Sequence, residues 1–276
     1  RTLRFVYQSK TTNLRKMSKR VTIAVIGKGK VGTSLARSIA KLKPDFMLFA
    51  HIGARQKSFA ELGQQGGPEV IFICSKDDAI ARVAKKAVRV SGKNLKMIVH
   101  CSGSNESTIL PSVNSAGISI SRLTLHPIQT FPHADAKLLK GIYYMASTGD
   151  RFAKNWADKF VKRLHGRGVI HISPKDLPLY HTLVVFASNF TTLLGGSIEI
   201  LSRSLGIAPA KMKRAVMPLM KRSIDNVRHN NSADVLTGPL VRNDRSTIMK
   251  HRKALAGQPA PLRAIYEGFV KLAKLI

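Results

Sequence analysis

Acidic residues are scarce in this chain: 15 Asp and Glu stand against 46 Lys and Arg in 276 residues, a formal charge of +31. Cysteine is scarcer, with Cys74 and Cys101 alone, and aromatic residues make up only 6%. Each shortage closes a route. Two cysteines without zinc-type spacing give no structural zinc site and no disulfide framework. The chain therefore reads as one kept in a reducing, cytoplasmic compartment with buried free thiols and no bound metal. Both cysteines fall near expected strand ends, so they can come close in space. Few aromatics and no stacking motif leave a nucleic-acid reading of the charge unsupported. The bases are also spread along the whole chain, as in RVAKKAVRV and KMKRAVMPLMKR, rather than gathered in one patch. The expectation is a solvated basic surface with no nucleic-acid partner, whose field draws in anionic ligands, phosphorylated cofactors included.

Hydrophobic residues make up 44% of the chain, enough for a sizeable core, and the length suits two domains. Residues 1–19 form a basic tail with no acid. It reads as an organellar targeting segment or, with Met17 as a natural start, as upstream sequence or a disordered tail. One uncharged stretch, 177–198, is long enough to span a bilayer. Its His181, Ser188, Asn189, threonines and Gly-Gly pair point instead to a buried helix, with no membrane partner.

From Val21 onward, short β-rich runs alternate with helical patterns: VTIAVIG, DFMLFAHIGAR, EVIFICS, MIVHCSG, ISRLTLHP, GIYYMAST and VIHIS. KSFAELGQQ reads as a short helix, and SNESTILPSVNSAG as a helix and loop. This alternation predicts a mostly parallel sheet covered on both faces. After SPKDLP the pattern changes. No convincing strand follows, and helices fit about 177–205, 209–229, 245–256 and 260–275. The expected fold class is α/β: a sheet domain over 20–173 followed by an all-helical domain over 174–276.

GKGKVG, residues 27–32, matches G-x-G-x-x-G, follows a strand and opens a helix, which is the context that gives this pattern meaning. Gly27 allows the tight turn, Gly29 lets backbone approach a pyrophosphate, and Gly32 lets helix pack on strand. Lys30 and Val31 complete the phosphate-binding turn, and the helix N-terminus supplies free N–H groups. An NAD-type site needs an acid at the end of the second strand. GARQK stands there instead, and Arg55 with Lys57 can pair with a 2′-phosphate, which favours NADP(H). The bland alternative is two more surface bases. In open sheets of this kind, ligands lie beyond the carboxyl ends of the strands. That edge carries Ser75 and Asp78 after the third strand and His100, Ser102 and Gly103 after the fourth. His126, Gln129 and Thr130 follow the fifth, in HPIQTF. His126 is read either as catalytic or as a structural histidine bonded to a loop carbonyl.

GKGKVGTSLA, the SG of HCSGS, HPIQTF, YHTLVVFASNF and LTGPLVRND together resemble one family over residues 21–276. It comprises Rossmann-like, oxidoreductase-like proteins of the 6-phosphogluconate dehydrogenase-type superfamily, whose C-terminal half is a domain of unknown function, 2520. The resemblance implies a nicotinamide-binding domain and a helical domain that pairs two subunits into a homodimer. It does not supply a substrate. A more distant similarity is to prephenate and arogenate dehydrogenases, where a strand-end His-Pro carries the general base; His126 matches that dipeptide alone. The chain departs from the superfamily's hydroxyacid dehydrogenases, which place Lys and Asn four apart on the first helix after the linker. Here Asn189 is preceded by Val185, and His181 lies two turns before Asn189 on the same helix face.

These residues imply an NADP(H)-dependent oxidoreductase for a small anionic carbonyl, imine or hydroxyacid. His126 or His181 would carry the proton, Ser102 and Asn189 would orient the substrate oxygen, and Arg242 would anchor its anionic group. Gly103, Gln129 and Thr130 would line the substrate. Simpler readings stay open: a core histidine at His181, a helix–helix hydrogen bond at Asn189, and a helix cap or an ion pair with Arg242 at Asp244. The rival functional reading is a dinucleotide-binding sensor or scaffold without catalysis.

Overall fold

A computed structural model describes Met17, residues 20–53 and residues 56–276. The rest of the expected 1–19 tail lies outside the described residues, as do Arg55 and the side chain of Lys57. The strands are β1 (Val21–Ile26), β2 (Phe46–Ile52), β3 (Val70–Ile73), β4 (Met97–His100), β5 (Ser121–Pro127), β6 (Tyr143–Ser147) and β7 (Gly168–His171). They form a single seven-stranded sheet in the order β2-β1-β3-β4-β5-β6-β7. The first five strands run parallel, β6 pairs antiparallel with β5, and β7 is parallel to β6.

The apolar runs of the strands are continuous because both faces of the sheet are covered. In β1, Ile23 and Val25 join the core on one face, while Ala24 and Ile26 join the core on the other. Helices α1 (Lys30–Ile39) and α3 (Arg151–Arg163) close the first face. There Trp156 stacks on Phe160 at 4.7 Å between ring centroids, and Phe46 meets both edge-on. Helix α2 (Ile80–Val90) and the 3-10 segment Gln56–Gly66 close the second. Each fully buried Ile, Leu or Phe contributes roughly 1.5–3 kcal/mol relative to exposure. Asp150 caps α3 by accepting from the Phe152 N–H at 2.8 Å.

One expected element differs. SNESTILPSVNSAG carries only a 3-10 turn, Ser107–Ile109, because Pro111 follows and the Asn114 carboxamide accepts from Ala116 and Ile118 N–H, folding a local turn instead. The strand GIYYMAST returns antiparallel because residues 128–142 carry only a 3-10 turn, Ala136–Leu139, and no crossover helix.

After β7 come α4 (Leu177–Val185), a π-helical turn (Phe186–Phe190), α5 (Thr191–Ser204), α6 (Pro209–His229), α7 (Ser232–Val235), α8 (Arg245–Leu255) and α9 (Ala260–Leu272). The sheet thus gives way to helices beside the expected junction at 173/174. The compact units divide later, between Phe186 and Ala187. Helix α4 stays with the sheet because Leu177 is fully buried and Tyr180 bonds to His126.

The expectation of a buried helix over 177–198 is corrected. Leu179 is 75% exposed, Leu183 65% and Leu193 60%. Pro174–Ser204 is long and apolar enough to cross a membrane, and none of its most apolar window is buried within the chain. The polar residues read as signs of burial cap and bridge locally: Thr182, Thr191 and Thr192 donate to carbonyls one turn back.

Candidate functional site

Strands β2 and β3 lie on opposite sides of β1, so the chain reverses its winding at the β1/β3 boundary, where open α/β sheets bind ligands. The glycine turn sits at that point. Gly27 has φ +128°, and a Cβ there would stand 2.2 Å from the Cys74 carbonyl oxygen. His51, from β2, donates from Nε2 to the Gly27 carbonyl at 3.0 Å. A Cβ on Gly32 would stand 2.1 Å from that same carbonyl oxygen. Gly27 and Gly32 are therefore fixed by the packing of strand, turn and helix. Gly29 is different: a Cβ there would meet no atom within 4 Å, and its φ of −73° suits any residue. No packing reason requires glycine at 29. No side chain caps the N-terminus of α1, and its first turn carries no acid. Its leading N–H groups are thus suited to an anion.

Gly29, Lys30 and Val31 line a cavity of about 410 Å³, together with Cys74, Ser75, Asp77, Cys101, Ser102 and Phe131. Asp78, expected here, is exposed and does not line it; its neighbour Asp77 does. Gln129 and Thr130, expected to line a substrate, do not line this cavity either. Both are exposed, and the Gln129 carboxamide oxygen accepts from the Thr130 N–H at 2.8 Å, so the pair closes its own turn. Phe131 is the residue of HPIQTF that reaches the cavity. The segment after it is tied over α1: Ser34 accepts from the Asp135 N–H at 2.9 Å, and Arg37 donates to the Ala134 carbonyl at 2.8 Å.

A polar network borders the cavity. Ser102 donates its hydroxyl hydrogen to Asp77 at 3.0 Å and accepts from the Asn105 N–H and carboxamide, each at 3.2 Å. Ser104 donates to the same Asp77 oxygen at 3.3 Å. The Ser102 hydroxyl hydrogen is thus directed to Asp77, which shapes the loop after β4. His100 is fully buried beneath it. Nδ1 accepts the Ser102 N–H at 3.2 Å, so the ring hydrogen is on Nε2, which faces the Glu106 carbonyl at 3.2 Å and the Thr124 hydroxyl at 3.0 Å. Burial lowers its pKa to about 4 and prevails over the Glu106 carbonyl and the Asp77 charge, which act in the opposite sense.

His126, at the end of β5, shares a 2.8 Å hydrogen bond between Nδ1 and the Tyr180 hydroxyl. Tyr180 and His181 both meet it edge-on, at ring-centroid distances of 5.9 and 6.3 Å. A Cβ on Gly103 would lie 2.7 Å from His181 Cδ2 and 3.3 Å from His126 Nδ1. Glycine at 103 is thus what lets the two imidazoles pack together. Burial first, then the charge of His181, lowers the His126 pKa to about 4. Burial raises that of Tyr180. Of the two readings of His126, the structural one had a loop carbonyl as partner; the partner of Nδ1 is instead a phenol in the neighbouring helix. The sequence reading missed Tyr180, although it stands directly before His181 in YHTLVV.

Asn189 is exposed in the π-helical turn and accepts from the Ser188 hydroxyl at 2.9 Å. Arg242 is exposed in the loop before α8. Asp244 is the N-cap of α8: its carboxylate accepts the Thr247 N–H at 3.0 Å and the Thr247 hydroxyl at 2.8 Å. The backbone bond from Thr247, with the hydroxyl bonds, lowers its pKa to about 2. Among the described residues, no group of three or more His, Cys, Asp or Glu is placed to hold a metal ion.

Residues 143–272 match the family described as Domain of unknown function (DUF2520). No curated protein matches the sequence. Solved structures share the fold over most of the chain. A Bacteroides fragilis protein assigned as an NADP oxidoreductase is 19% identical, with TM-score 0.69 over 92% of this chain and 98% of that one. An imine reductase from Myxococcus stipitatus, in complex with NADP+, is 13% identical, with TM-score 0.59 over 92% and 93%. A Plasmodium falciparum pyrroline carboxylate reductase with NADP bound is 13% identical, with TM-score 0.56 over 94% and 97%. Residues 143–272 thus match the domain of unknown function 2520, in a chain whose Rossmann-type fold is shared with these oxidoreductase structures.

Proposed function

We propose that this chain is an NADP(H)-dependent oxidoreductase acting on a small anionic carbonyl, imine or hydroxyacid. The carrying observation is Gly29. It lines the switch-point cavity, has no neighbour that requires glycine, and stands at an uncapped helix N-terminus. A pyrophosphate lying against its backbone gives that glycine a reason. The NADP held by the imine reductase and pyrroline carboxylate reductase structures agrees with this, and Arg55 and Lys57 remain the proposed 2′-phosphate partners. The net charge of +31 favours anionic ligands.

Bound NADP(H) would supply or accept the hydride. What the protein contributes is polarisation and proton handling. Tyr180, whose phenol holds its proton, donates to His126 Nδ1 and so leaves the ring hydrogen on Nε2. His126, neutral at pH 7, then offers an N–H to the substrate oxygen or nitrogen rather than a full proton. His181, packed against it through Gly103, takes the proton-transfer role. Exposed apolar residues of α5 and α6, among them Leu193, Met217, Leu219 and Ile224, are the proposed contact between two copies of the chain.

The test is NADPH oxidation against a panel of cyclic imines and 2-oxo acids. Turnover that falls roughly 100-fold or more in His126→Asn, with nucleotide affinity retained, supports the assignment. Binding without turnover across the panel would favour the sensor reading.

A further inference from the structure

Cys74 and Cys101 are not used by the proposed reaction, yet the fold places them together in its most functional position. Ile73 and His100 are paired in the β3/β4 ladder, so the two cysteines are the next residues on adjacent strands. Neighbouring strands lie about 4.8 Å apart, within the Cα separations that a disulfide spans. Both side chains point to the same face, against the core closed by α1 and α3. Their sulfurs are 3.7 Å apart in a thiol–thiol contact. Both are half-buried, and both line the glycine-turn cavity, so small solutes reach them from the site where the nucleotide would lie. Two free thiols converging on one cavity wall is a different arrangement from a single buried cysteine serving as a small apolar filler.

We propose that Cys74 and Cys101 form an oxidisable dithiol, converted by a hydroperoxide to an intramolecular disulfide, and that nucleotide in the cavity shields it. The second clause rests on the proposed function; the first does not. Cys101, as thiolate, attacks a peroxide oxygen. The O–O bond breaks, Cys101 becomes a sulfenic acid, and one water or alcohol leaves. The Cys74 sulfur then displaces hydroxide from the Cys101 sulfur, the S–S bond forms, and the hydroxide departs as water with the Cys74 proton. Two thiols lose two electrons and two protons, and the peroxide is reduced by the same two electrons. The order follows from the contact: the bond to Cys101, burial and the Cys101 charge all raise the Cys74 pKa, so Cys74 keeps its proton and serves as the resolving thiol. Closing the bond draws the sulfurs from 3.7 Å to about 2.05 Å, beneath the carbonyl of Cys74 on which Gly27 packs.

The experiment is intact-protein mass spectrometry with thiol titration on the full chain, exposed to hydrogen peroxide with and without NADP+. The expected result is loss of two hydrogens, no reactive thiol in the unfolded oxidised chain, a monomer on a non-reducing gel, and full reversal by dithiothreitol. Cys74→Ser should instead add oxygen atoms at Cys101, since no resolving thiol remains. Saturating NADP+ should slow disulfide formation at least tenfold. Oxygen addition or interchain cross-linking in the unaltered chain would overturn the dithiol, as would two thiols surviving peroxide. Disulfide formation that NADP+ does not slow would leave the dithiol standing and count against the nucleotide site.

Discussion

Acid should weaken this fold through His100, by an amount the structure sets. The ring is fully buried, and its pKa is about 4 in the folded chain against 6.5 for a free histidine. Between those values the unfolded chain binds a proton that the folded chain does not. The stabilisation is therefore complete above about pH 6.5 and is lost as pH falls towards 4. The cause is visible at Nδ1, which accepts the Ser102 N–H; a proton there would set two donors against each other. The span of the shift corresponds to roughly 3 kcal/mol, of which about 2–3 kcal/mol is lost between about pH 7.5 and about pH 4.5. His126 titrates in the same sense, so the unaltered chain alone does not isolate His100. Urea unfolding of the native chain and of His100→Asn at both pH values does. Asn can accept from Ser102 and does not titrate. The native chain should lose about 2–3 kcal/mol more than the variant on acidification. Equal losses in the two chains would refute the account of a histidine held neutral by burial.

Four further outcomes follow from the geometry. Gly27→Ala and Gly32→Ala should lose several °C of thermal stability, whereas Gly29→Val should melt with the native chain and lose at least tenfold in NADPH affinity; differential scanning fluorimetry and calorimetry read the two effects separately. Tyr180→Phe should cost about 1 kcal/mol in urea unfolding and, by releasing the His126 tautomer, should lower kcat more than it alters KM for any substrate found. Gly103→Ala, with its Cβ 2.7 Å from His181, should displace that ring and shift its NMR resonances while the fold persists. In multi-angle light scattering the chain should run at twice its 30.3 kDa mass, and Leu219→Glu should return it to one chain; a native monomer without detergent would remove the proposed contact between copies.

The sheet and the glycine turn were legible because their signals are local. A buried strand, a G-x-G-x-x-G turn and a helix follow one another within twenty residues, and the distinct parts played by Gly27 and Gly32 emerge from packing that any such turn must adopt. What escaped is non-local. Tyr180 reaches His126 across 54 residues, and Asp77 reaches Ser102 across 25. No spacing rule links those partners. The Gln129 carboxamide oxygen turns to the Thr130 N–H, and Phe131 enters the cavity because Ser34 and Arg37 tie the following loop down. The apolar helix at 177–198 misled for a thermodynamic reason. Its composition demands a covering surface, and composition does not say whether that surface belongs to the same chain.

The central claim is a dinucleotide held at the β1/β3 switch point. Its most direct test is calorimetric titration of the purified chain with NADPH and NADH, repeated with Gly29→Val and Arg55→Ala. The account predicts micromolar NADPH binding, much weaker NADH binding, loss of both in Gly29→Val, and loss of the difference between them in Arg55→Ala. No heat with either nucleotide, from a chain that melts cooperatively, would contradict it.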